Sequence, residues 1–476
     1  MVYSSFEFIV LLFFLIPLFY STRNVFAQLA IIFLASCLFL SFTGTENLIV
    51  AVLVISVGYL ALRLGVGGRS RAIVAAIAIL VLNLMFFKLM AASPALWRFE
   101  LPWGGQSHWL VPLGLSFYTF QIIGGLIELN HVGRPVPIGR FANFVLFFPH
   151  LIAGPICKSR VLVPQFEDAK RFSWRNLGIG LHLFLVGYVK KVLIADPIGA
   201  AIDDVWSNPA AYATGAVWLA TAGFYLQVYA DFSGYTDMGR GVARMLGFRL
   251  PINFRAPYLA ASPLDFWQRW HISLTTWYRH YFYQPLALWI GRSFRDRRRR
   301  TLGLCLAAVF VLTAVGLWHG VAWRFVLFGL FQGVLLMVWR GLPFPREPRG
   351  PARIAHVLLF QAILLTSFVI FRSPSVDAMV DMARAMAGHA AGTRSIAMGG
   401  FIVLAGLAVF AIQGLDYFIT DRPLAAQVRR LRRSNLAFCA VVIAFVTLFG
   451  YKTIQVDAVA PANTPSISSR FIYFDF

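Results

Sequence analysis

Two histidines stand where a side chain could exchange a proton inside an apolar environment. His319 lies in LTAVGLWHGVAW, at a glycine-rich break between two apolar stretches, and His271 lies in DFWQRWHISLTTWYRHYFY. Ionisable groups are costly inside a membrane, so an embedded histidine is a functional candidate. A neutral imidazole can take the proton from a hydroxyl that attacks an activated acyl group. The alternative is that each histidine only bonds to a neighbouring helix or lies at a headgroup interface among tryptophans.

Two aspartates, Asp231 and Asp237 in YADFSGYTDMGRG, form the other notable polar pair. They flank a Ser-Gly pair, and the sequence favours capping and turn residues over metal ligands at these positions. The sequence predicts interface or loop positions for His108, His150 and His182. GxSxG, P-loop, HExxH and GxGxxG motifs are absent, which leaves hydrolase, NTPase and dinucleotide-binding functions without support.

The four cysteines, at 37, 157, 305 and 439, are far apart, and the sequence has no CxxC motif. This spacing predicts neither a disulfide framework nor a metal site. Residues 8–20 are apolar, but no Lys or Arg precedes them, so we expect a retained first helix rather than a cleaved signal peptide.

The elements that must position these residues follow from the composition. Of the 476 residues, 59% are hydrophobic and 13% are charged, while the net charge is +22. A soluble domain carries about 25% charged residues, and nucleic-acid-binding proteins keep a polar surface around their basic patch. The combination therefore predicts an all-α polytopic membrane protein and no nucleic-acid partner.

About twelve apolar stretches approach the length of about 20 residues that a helix needs to cross a bilayer. Their approximate bounds are 8–21, 27–41, 48–62, 73–91, 110–127, 177–200, 214–230, 301–318, 324–339, 354–371, 397–418 and 434–451. Segments 143–156 and 257–290 are too short or too polar to cross cleanly. They resemble re-entrant or interfacial helices, which occur at membrane depth only when buried in protein or lining a cavity.

Arginine clusters predict the orientation. The strongest occupy residues 292–300, 340–353 and 422–433. Placing them in the cytoplasm puts both termini outside, while Lys190 and Lys191 interrupt an apolar span and have no assigned side. The sequence shows no internal repeat, so a repeat-built transporter has no support.

These residues also carry a resemblance to a known family. YADFSGYTDMGRGVARMLGFRLPINFRAPYLAASPLDFWQRWHISLTTWYRHYFYQPL, followed by GLWHGVAWRFVLFGLFQG, resembles the membrane-bound O-acyltransferase family in its alginate O-acetyltransferase-like bacterial branch. Supporting segments are VPLGLSFYTFQ, FPHLIAGPICKSRVLVPQF, VKKVLIAD and FRSPSVDAM, and the resemblance covers roughly residues 110–380. Two departures are His280, where family members often carry Asp, and QPLAL in place of IPLGG.

The resemblance implies roles for particular residues. His319 corresponds to the family's catalytic histidine, and His271 corresponds to a second conserved polar position near the cytoplasmic mouth of a tunnel. We expect support on the donor side of the tunnel from five residues: Trp318, Arg269, Arg279, Asp231 and Asp237.

The chain divides by these features into four predicted parts. N-terminal transmembrane helices occupy residues 1–109, the catalytic core 110–380, C-terminal transmembrane helices 381–452 and an extracytoplasmic tail 453–476. The tail ends in FIYFDF, so that Phe471, Tyr473 and Phe476 form F-x-Y-x-x-F. This ending is similar to the acyl-carrying peptide of the teichoic-acid D-alanylation system. An aromatic membrane anchor is the alternative.

Together these observations predict a membrane O-acyltransferase in the bacterial cytoplasmic (inner) membrane, among membrane lipids. It would take an acyl group, with acetyl favoured, from acetyl-CoA or an acyl-carrier thioester, with no bound cofactor. His319 and Tyr473 would pass the group to an extracytoplasmic SGNH-type acyltransferase, or a similar envelope partner, that modifies a polysaccharide. A partner is expected because the predicted outer segments, of about 25 residues, are too short to fold alone.

Three alternatives stay open at this point. A polysaccharide hydroxyl could attack directly at His319, with the tail serving only as an anchor. The chain could instead be a transporter or lipid flippase, or a non-catalytic scaffold for an envelope complex.

Overall fold

The computed structural model describes residues 3–42, 44–65, 70–92, 99–100, 106–107, 111–130, 136–345, 348–389, 391–396 and 398–420. Within these ranges the protein is almost entirely helical, which confirms the predicted all-α class. The extended exception is a short antiparallel pair, β1 (Phe99–Glu100) and β2 (Gln106–Ser107), in which Phe99 pairs with Ser107. The predicted span at 434–451 and the tail with Phe471, Tyr473 and Phe476 lie outside the described residues.

The described chain separates into two units, and unit 1 comprises residues 1–184 and 236–251. Its core is rich in phenylalanine: the ring of Phe39 lies 5.8 Å from that of Phe8 and 5.9 Å from that of Phe148. The helices, in chain order, are α1 (Phe6–Tyr20), α2 (Val25–Ser41), α3 (Thr45–Gly65), α4 (Ser70–Ala92), α5 (Leu115–Asn130), α6 (Ile138–Leu146), α7 (Phe148–Leu151), α8 (Ser159–Leu162), a 3₁₀ turn (Val163–Phe166) and α9 (Trp174–Tyr188), whose last residues belong to unit 2.

Unit 2 comprises the described residues within 185–235 and 252–420. A π-helix (Val189–Ala195) leads into α10 (Asp196–Ser207), and after a 3₁₀ turn (Pro209–Ala211) α11 (Thr214–Met245) follows, its last residues belonging to unit 1. The remaining elements are a 3₁₀ turn (Pro257–Leu259), α12 (Pro263–Trp267), α13 (Ile272–Tyr278), a π-helix (Arg279–Tyr283), α14 (Gln284–Ser293), α15 (Arg297–His319), α16 (Trp323–Gly341), α17 (Gly350–Arg372), α18 (Val376–Met386) and α19 (Gly399–Thr420).

Among the described residues, six helical stretches are long and apolar enough to cross a membrane: Thr45–Gly65, Arg71–Ala92, Trp174–Ser207, Arg297–His319, Trp323–Gly341 and Gly350–Arg372. Many large apolar side chains on the helices are exposed, such as Phe26 at 80% and Phe13 at 73%. Water disfavours such a surface whereas lipid does not. The chain is therefore a multi-pass membrane protein.

The other predicted spans also fall on helices. The stretches at 8–21, 27–41 and 397–418 correspond to α1, α2 and α19, which contribute the shorter apolar stretches Phe6–Tyr20, Val25–Ser41 and Gly399–Gly414. The stretch at 110–127 corresponds to α5, and the one at 214–230 is the first half of α11. Hydropathy therefore located the long apolar helices up to residue 420 but not short ones such as α18, and it ended α11 fifteen residues before its observed end at Met245.

The predicted turn between Asp231 and Asp237 is wrong. Both aspartates lie inside the continuous helix α11. Gly234 serves close packing instead of a turn, because a Cβ there would lie 2.7 Å from the carbonyl oxygen of Gly187 and 3.0 Å from the backbone nitrogen of Lys191. The small residues that suggest a turn here let α11 approach the π-helix (Val189–Ala195) so closely that the two backbones are in contact.

The two segments that are too polar to cross cleanly are broken into short helices. Residues 143–156 contain the end of α6 and the four-residue α7, and residues 257–290 contain α12, α13, a π-helix and the start of α14. Amide side chains, one buried and one partly buried, hold the second segment in unit 2. Gln413 accepts a hydrogen bond from the backbone N–H of Tyr258 at 2.9 Å, and Gln361 donates one to the carbonyl of Ala260 at 2.9 Å.

Candidate active site

His319 is the last residue of α15, and the tight packing of α15 against α16 fixes its position. Glycines make this packing possible: a Cβ at Gly316 would lie 2.1 Å from the carbonyl oxygen of Phe325, and one at Gly329 would lie 2.4 Å from that of Leu312. The two helices thus touch backbone to backbone, and His319 stands at the end of a rigid helical hairpin.

Aromatic rings surround the half-buried imidazole of His319. Its ring centroid lies 4.8 Å from that of Trp318 and 5.1 Å from that of Phe371, with which it makes an edge-on contact. Phe325 lies alongside at 6.0 Å. Aromatic carbon on these sides of the ring lowers the local dielectric constant and so strengthens the electrostatic interactions that the ring makes.

His271 lies in the broken part of unit 2, immediately before α13, and is 2% exposed. Its backbone adopts the left-handed conformation, with φ 42° and ψ 52°. This conformation costs a non-glycine residue about 1–3 kcal/mol and persists only where the surroundings impose it. Nδ1 of the imidazole lies 3.3 Å from Oδ1 of Asn253, and the ring packs edge-on against Phe232 at 4.6 Å.

The two histidines line one small cavity in unit 2, of about 40 Å³. Asp231 is the other ionisable residue in its wall, and the rest of the wall is apolar, including Trp267, Trp270 and Phe371. Trp318 is in edge-on contact with both imidazoles, 4.8 Å from His319 and 6.2 Å from His271. The arrangement brings two proton acceptors and one carboxylate into a space with room for only a few non-hydrogen atoms.

Asp231 belongs to a buried cluster of three charges. Nζ of Lys191 lies 2.7 Å from Oδ1 of Asp231 and 2.5 Å from Oδ1 of Asp196, and all three side chains are less than a tenth exposed. Formally the cluster carries one net negative charge. Such a charge beside the cavity lowers the free energy of a positively charged imidazole there and so offsets part of the cost of burying that charge.

Sequence reasoning missed two members of this cluster, Lys191 and Asp196. One signal in the sequence could have indicated this cluster. Lys191 interrupts an apolar stretch, and a cation inside a membrane span normally has a partner of opposite charge. The partner in α11 could not be found from spacing, because it is 40 residues away along the chain. The π-helix that carries Lys191 is itself a type of element often found at functional sites.

Other predicted support residues lie elsewhere. Asp237 belongs to unit 1, where its carboxylate pairs with Arg240 at 2.9 Å. Arg269 pairs with Asp265 at 2.5 Å in the turn before His271, and Arg279 opens the second π-helix. None of these three lines the cavity that the described residues form. Tyr473, Phe471 and Phe476, as well as His108, lie outside the described residues.

Three other histidines have different surroundings. The sequence predicts an interface or loop position for His150, but this residue lies in α7, is 3% exposed and packs against Phe147 at 5.7 Å. His182 lies within α9 rather than in a loop. His280, where the resemblance departs from its family, is on the second π-helix, and its Nδ1 lies 2.7 Å from the carbonyl oxygen of Thr276. Across the described ranges, no group of three or more His, Cys, Asp or Glu residues is placed to hold a metal ion.

Comparisons with known proteins match a part of the chain that includes both histidines of the cavity. Residues 119–349 match the family model of the membrane-bound O-acyltransferase family. A protein named "probable alginate O-acetylase" from Azotobacter vinelandii is 37% identical over 284 residues, which are 59% of this chain and 54% of that protein.

More distant relatives have related names. A peptidoglycan O-acetyltransferase of Helicobacter pylori is 31% identical over 325 residues, 61% of this chain and 60% of that protein. A teichoic acid D-alanyltransferase of Bacillus subtilis is 28% identical over 230 residues, 47% of this chain and 58% of that protein. The chain thus spans between about half and three fifths of these relatives. His319, His271, Asp231 and Lys191 all lie within the residues that the family model matches.

Proposed function

The chain contains a domain of the membrane-bound O-acyltransferase family over residues 119–349, and from this premise we propose that it moves a short acyl group from a cytosolic thioester to a hydroxyl on the other side of the membrane. The observation that carries the proposal is the small cavity in which His319, His271 and Asp231 meet. The relatives' names, which specify acetyl and D-alanyl transfer to envelope polymers, support the same reaction class.

His319 acts as the general base. The acceptor oxygen attacks the thioester carbonyl carbon while its proton passes to the imidazole, and the C–S bond then breaks. The imidazolium returns its proton to the departing thiolate, so that ester and thiol leave a neutral histidine. The net negative charge of the Lys191–Asp196–Asp231 cluster stabilises the imidazolium while it exists.

The volume of the cavity favours a short acyl group. About 40 Å³ accommodates a few non-hydrogen atoms, which matches an acetyl group and excludes a long fatty chain unless the walls move. Acetyl-CoA is the favoured donor, and an acyl-carrier thioester is second. Both are acidic, and the arginines at 297–300, which are exposed at the start of α15, suit such a donor.

The acceptor hydroxyl in this proposal belongs to Tyr473. At about 3.3 Å per residue, the 22 residues from Tyr451 to Tyr473 reach roughly 70 Å when extended, so the tail is long enough to return to the cavity. A phenol has a pKa near 10 and needs a base at neutral pH, which His319 provides. An SGNH-type acyltransferase outside the inner membrane then passes the group to a polysaccharide, with both termini of this chain extracytoplasmic.

The test is to map a labelled acyl group. Purified full-length protein is incubated with a labelled acetyl thioester, and the label is located by mass spectrometry in wild type, His319→Ala and Tyr473→Phe. We expect label on Tyr473 in the wild type and none in either variant, with a loss of at least about 100-fold in rate for His319→Ala. No label on the wild-type chain would exclude the relay.

A second experiment separates the relay through the tail from direct attack by the polysaccharide and from a non-catalytic role. Removal of the last six residues abolishes polysaccharide acylation if the tail carries the acyl group, and leaves it unchanged if the hydroxyl of the polysaccharide attacks directly. Acylation that persists in His319→Ala would contradict catalysis at this histidine and would favour a transporter or a scaffold.

A further inference from the structure

We propose that Asn253 is a positioning residue that fixes His271 with its proton on Nδ1, so that Nε2 accepts a hydrogen bond from a proton-bearing group of the bound substrate. The inference rests on the proposed acyl transfer and adds to it the protonation state of the second histidine. A buried histidine in this position could orient a substrate group or polarise a carbonyl, and only the first role agrees with this state.

Asn253 holds the start of α13 through both its backbone and its side chain. Its carbonyl accepts a hydrogen bond from the backbone N–H of Ile272 at 2.9 Å, and its Oδ1 accepts one from the backbone N–H of Ser273 at 3.0 Å. The same Oδ1 lies 3.3 Å from Nδ1 of His271. Asn253 is 1% exposed, so these contacts are shielded from water.

The donors and acceptors determine which nitrogen carries the proton. A backbone N–H can only donate, so the amide atom that faces Ser273 is the oxygen and not the NH₂ group. An amide oxygen can only accept, and therefore Nδ1 of His271 must be the donor to it. A neutral imidazole has one ring proton, so a proton on Nδ1 leaves a lone pair on Nε2.

The imidazole of His271 is neutral at neutral pH. Burial lowers the pKa of His271, which lies outside the six candidate spans, to about 3, because desolvation disfavours the charged ring. Asp231 and His319 are the ionisable residues that share the cavity with it. Arg269, two residues earlier, is paired with Asp265 at 2.5 Å.

The backbone strain at His271 agrees with a positioning role. Residues that only begin a helix normally have extended backbone conformations, whereas His271 is left-handed. The segment around Arg255 is also held in place, since the backbone N–H of Arg255 donates a hydrogen bond to the carbonyl of Arg269 at 3.0 Å. The polar contacts of Asn253 thus hold a conformation that places the ring in the wall of the cavity.

An Nε2 that carries no proton restricts what His271 can do. It can accept a hydrogen bond from an O–H or N–H of the substrate, but it cannot donate one to the acyl carbonyl oxygen. His271 therefore orients the group that bears the proton, and polarisation of the carbonyl falls to another donor.

The direct test is nitrogen NMR on full-length protein with ¹⁵N-labelled histidine in detergent micelles or nanodiscs. The resonances of His271 are those lost in His271→Gln. We expect a protonated Nδ1 and an unprotonated Nε2 in the wild type at neutral pH. Protonation at Nε2, or at both nitrogens, would overturn the inference, whatever the activity of the protein.

Substitutions of Asn253 separate positioning from simple helix capping. Asp caps a helix as well as Asn, so Asn253→Asp keeps the bond to Ser273, but its carboxylate favours the imidazolium. We expect His271 to gain its second proton at a pH about one to three units higher than in the wild type. An unchanged titration of His271 would show that Asn253 only caps the helix.

Activity provides the second readout. Asn253→Ala is expected to lower kcat/KM for the thioester by about tenfold or more, because the ring loses its fixed tautomer. Gln332→Ala is the matched control: it removes another buried amide of unit 2, bonded to Ser367 at 3.0 Å, without contact to His271. An equal loss of kcat/KM in both variants would contradict a positioning role. A wild type that transfers no acyl group would instead contradict the proposed function, and the NMR result would still stand.

Discussion

The two histidines of the cavity are held in opposite ways. His319 ends a straight helical hairpin, α15 and α16, in which glycines bring the two backbones into contact. His271 begins a short helix in a segment broken into several pieces, and polar contacts from Asn253 hold it in a strained conformation. The first arrangement depends on glycines, which leave no side chain between the two helices. The second depends on particular hydrogen-bonding atoms of Asn253.

This difference teaches which changes each side of the cavity tolerates. The hairpin should accept many substitutions on its outer surface, provided that the contact glycines remain. The broken segment should be sensitive to single polar atoms, because each buried donor or acceptor that loses its partner costs about 1–3 kcal/mol.

The largest expected effect lies in the charge cluster that includes Asp231, a residue of the cavity wall that both histidines share. Lys191→Met leaves Asp196 and Asp231 buried without their cation, and we expect a loss of about 3–5 kcal/mol in the free energy of unfolding, measured by thermal unfolding in detergent. Lys170→Met is the control: Lys170 is half-buried and lies over the ring of Phe248 at 5.1 Å, a contact worth about 0.5–2 kcal/mol. Equal losses in the two variants would contradict the role of the cluster.

The hairpin should show the next largest effect. Gly316→Ala places a Cβ 2.1 Å from the carbonyl oxygen of Phe325, so the helices must separate. We expect the free energy of unfolding to fall by about 1–3 kcal/mol. Since His319 moves, we expect kcat to fall by a larger factor than the factor by which KM changes. Gly291→Ala in α14, where a Cβ meets nothing within 4 Å, should leave unfolding temperature and kcat near wild type. Wild-type kcat in Gly316→Ala would show that the helix contact does not position His319.

The smallest effect on stability is expected at His271. Asn adopts the left-handed conformation more readily than other non-glycine residues, so the relief of strain in His271→Asn should offset the lost contact with Asn253, and the free energy of unfolding should stay within about 1 kcal/mol of wild type. Acyl transfer should nevertheless fall, because the imidazole is gone. His271→Ala keeps the backbone strain and loses the contact with Asn253, so it should unfold at a lower temperature than His271→Asn. The reverse order would mean that strain at this position is negligible.

Much of the fold could be predicted from the sequence, and the reason is the solvent. Lipid demands long apolar helices, so hydropathy alone located the long apolar helices up to residue 420, while the short helices between them gave no such signal. Local composition failed at Asp231 and Asp237, because Ser, Gly and Asp suggest a turn only when water is available to the backbone. Here the close approach of the π-helix gives Gly234 a packing role inside a continuous helix.

Prediction of the site depended on the type of residue. His319 and His271 could be singled out because imidazoles are conspicuous among apolar residues, and the structure places both in one cavity. Asn253 and Asp196 could not, because an isolated amide or carboxylate gives no periodic signal. Their partners, Ser273 at 20 residues and Lys191 at five, become evident only when the chain is folded.

The position of His319 as the last residue of α15 has an electrostatic consequence that no side chain supplies. The aligned peptide groups of a helix leave a partial negative charge at its carboxyl end. An imidazole at this end gains about 0.3–1 kcal/mol when it takes up a proton. The backbone of α15 therefore makes His319 a better proton acceptor, and an imidazole placed in the middle of the same helix would receive no such help from the macrodipole.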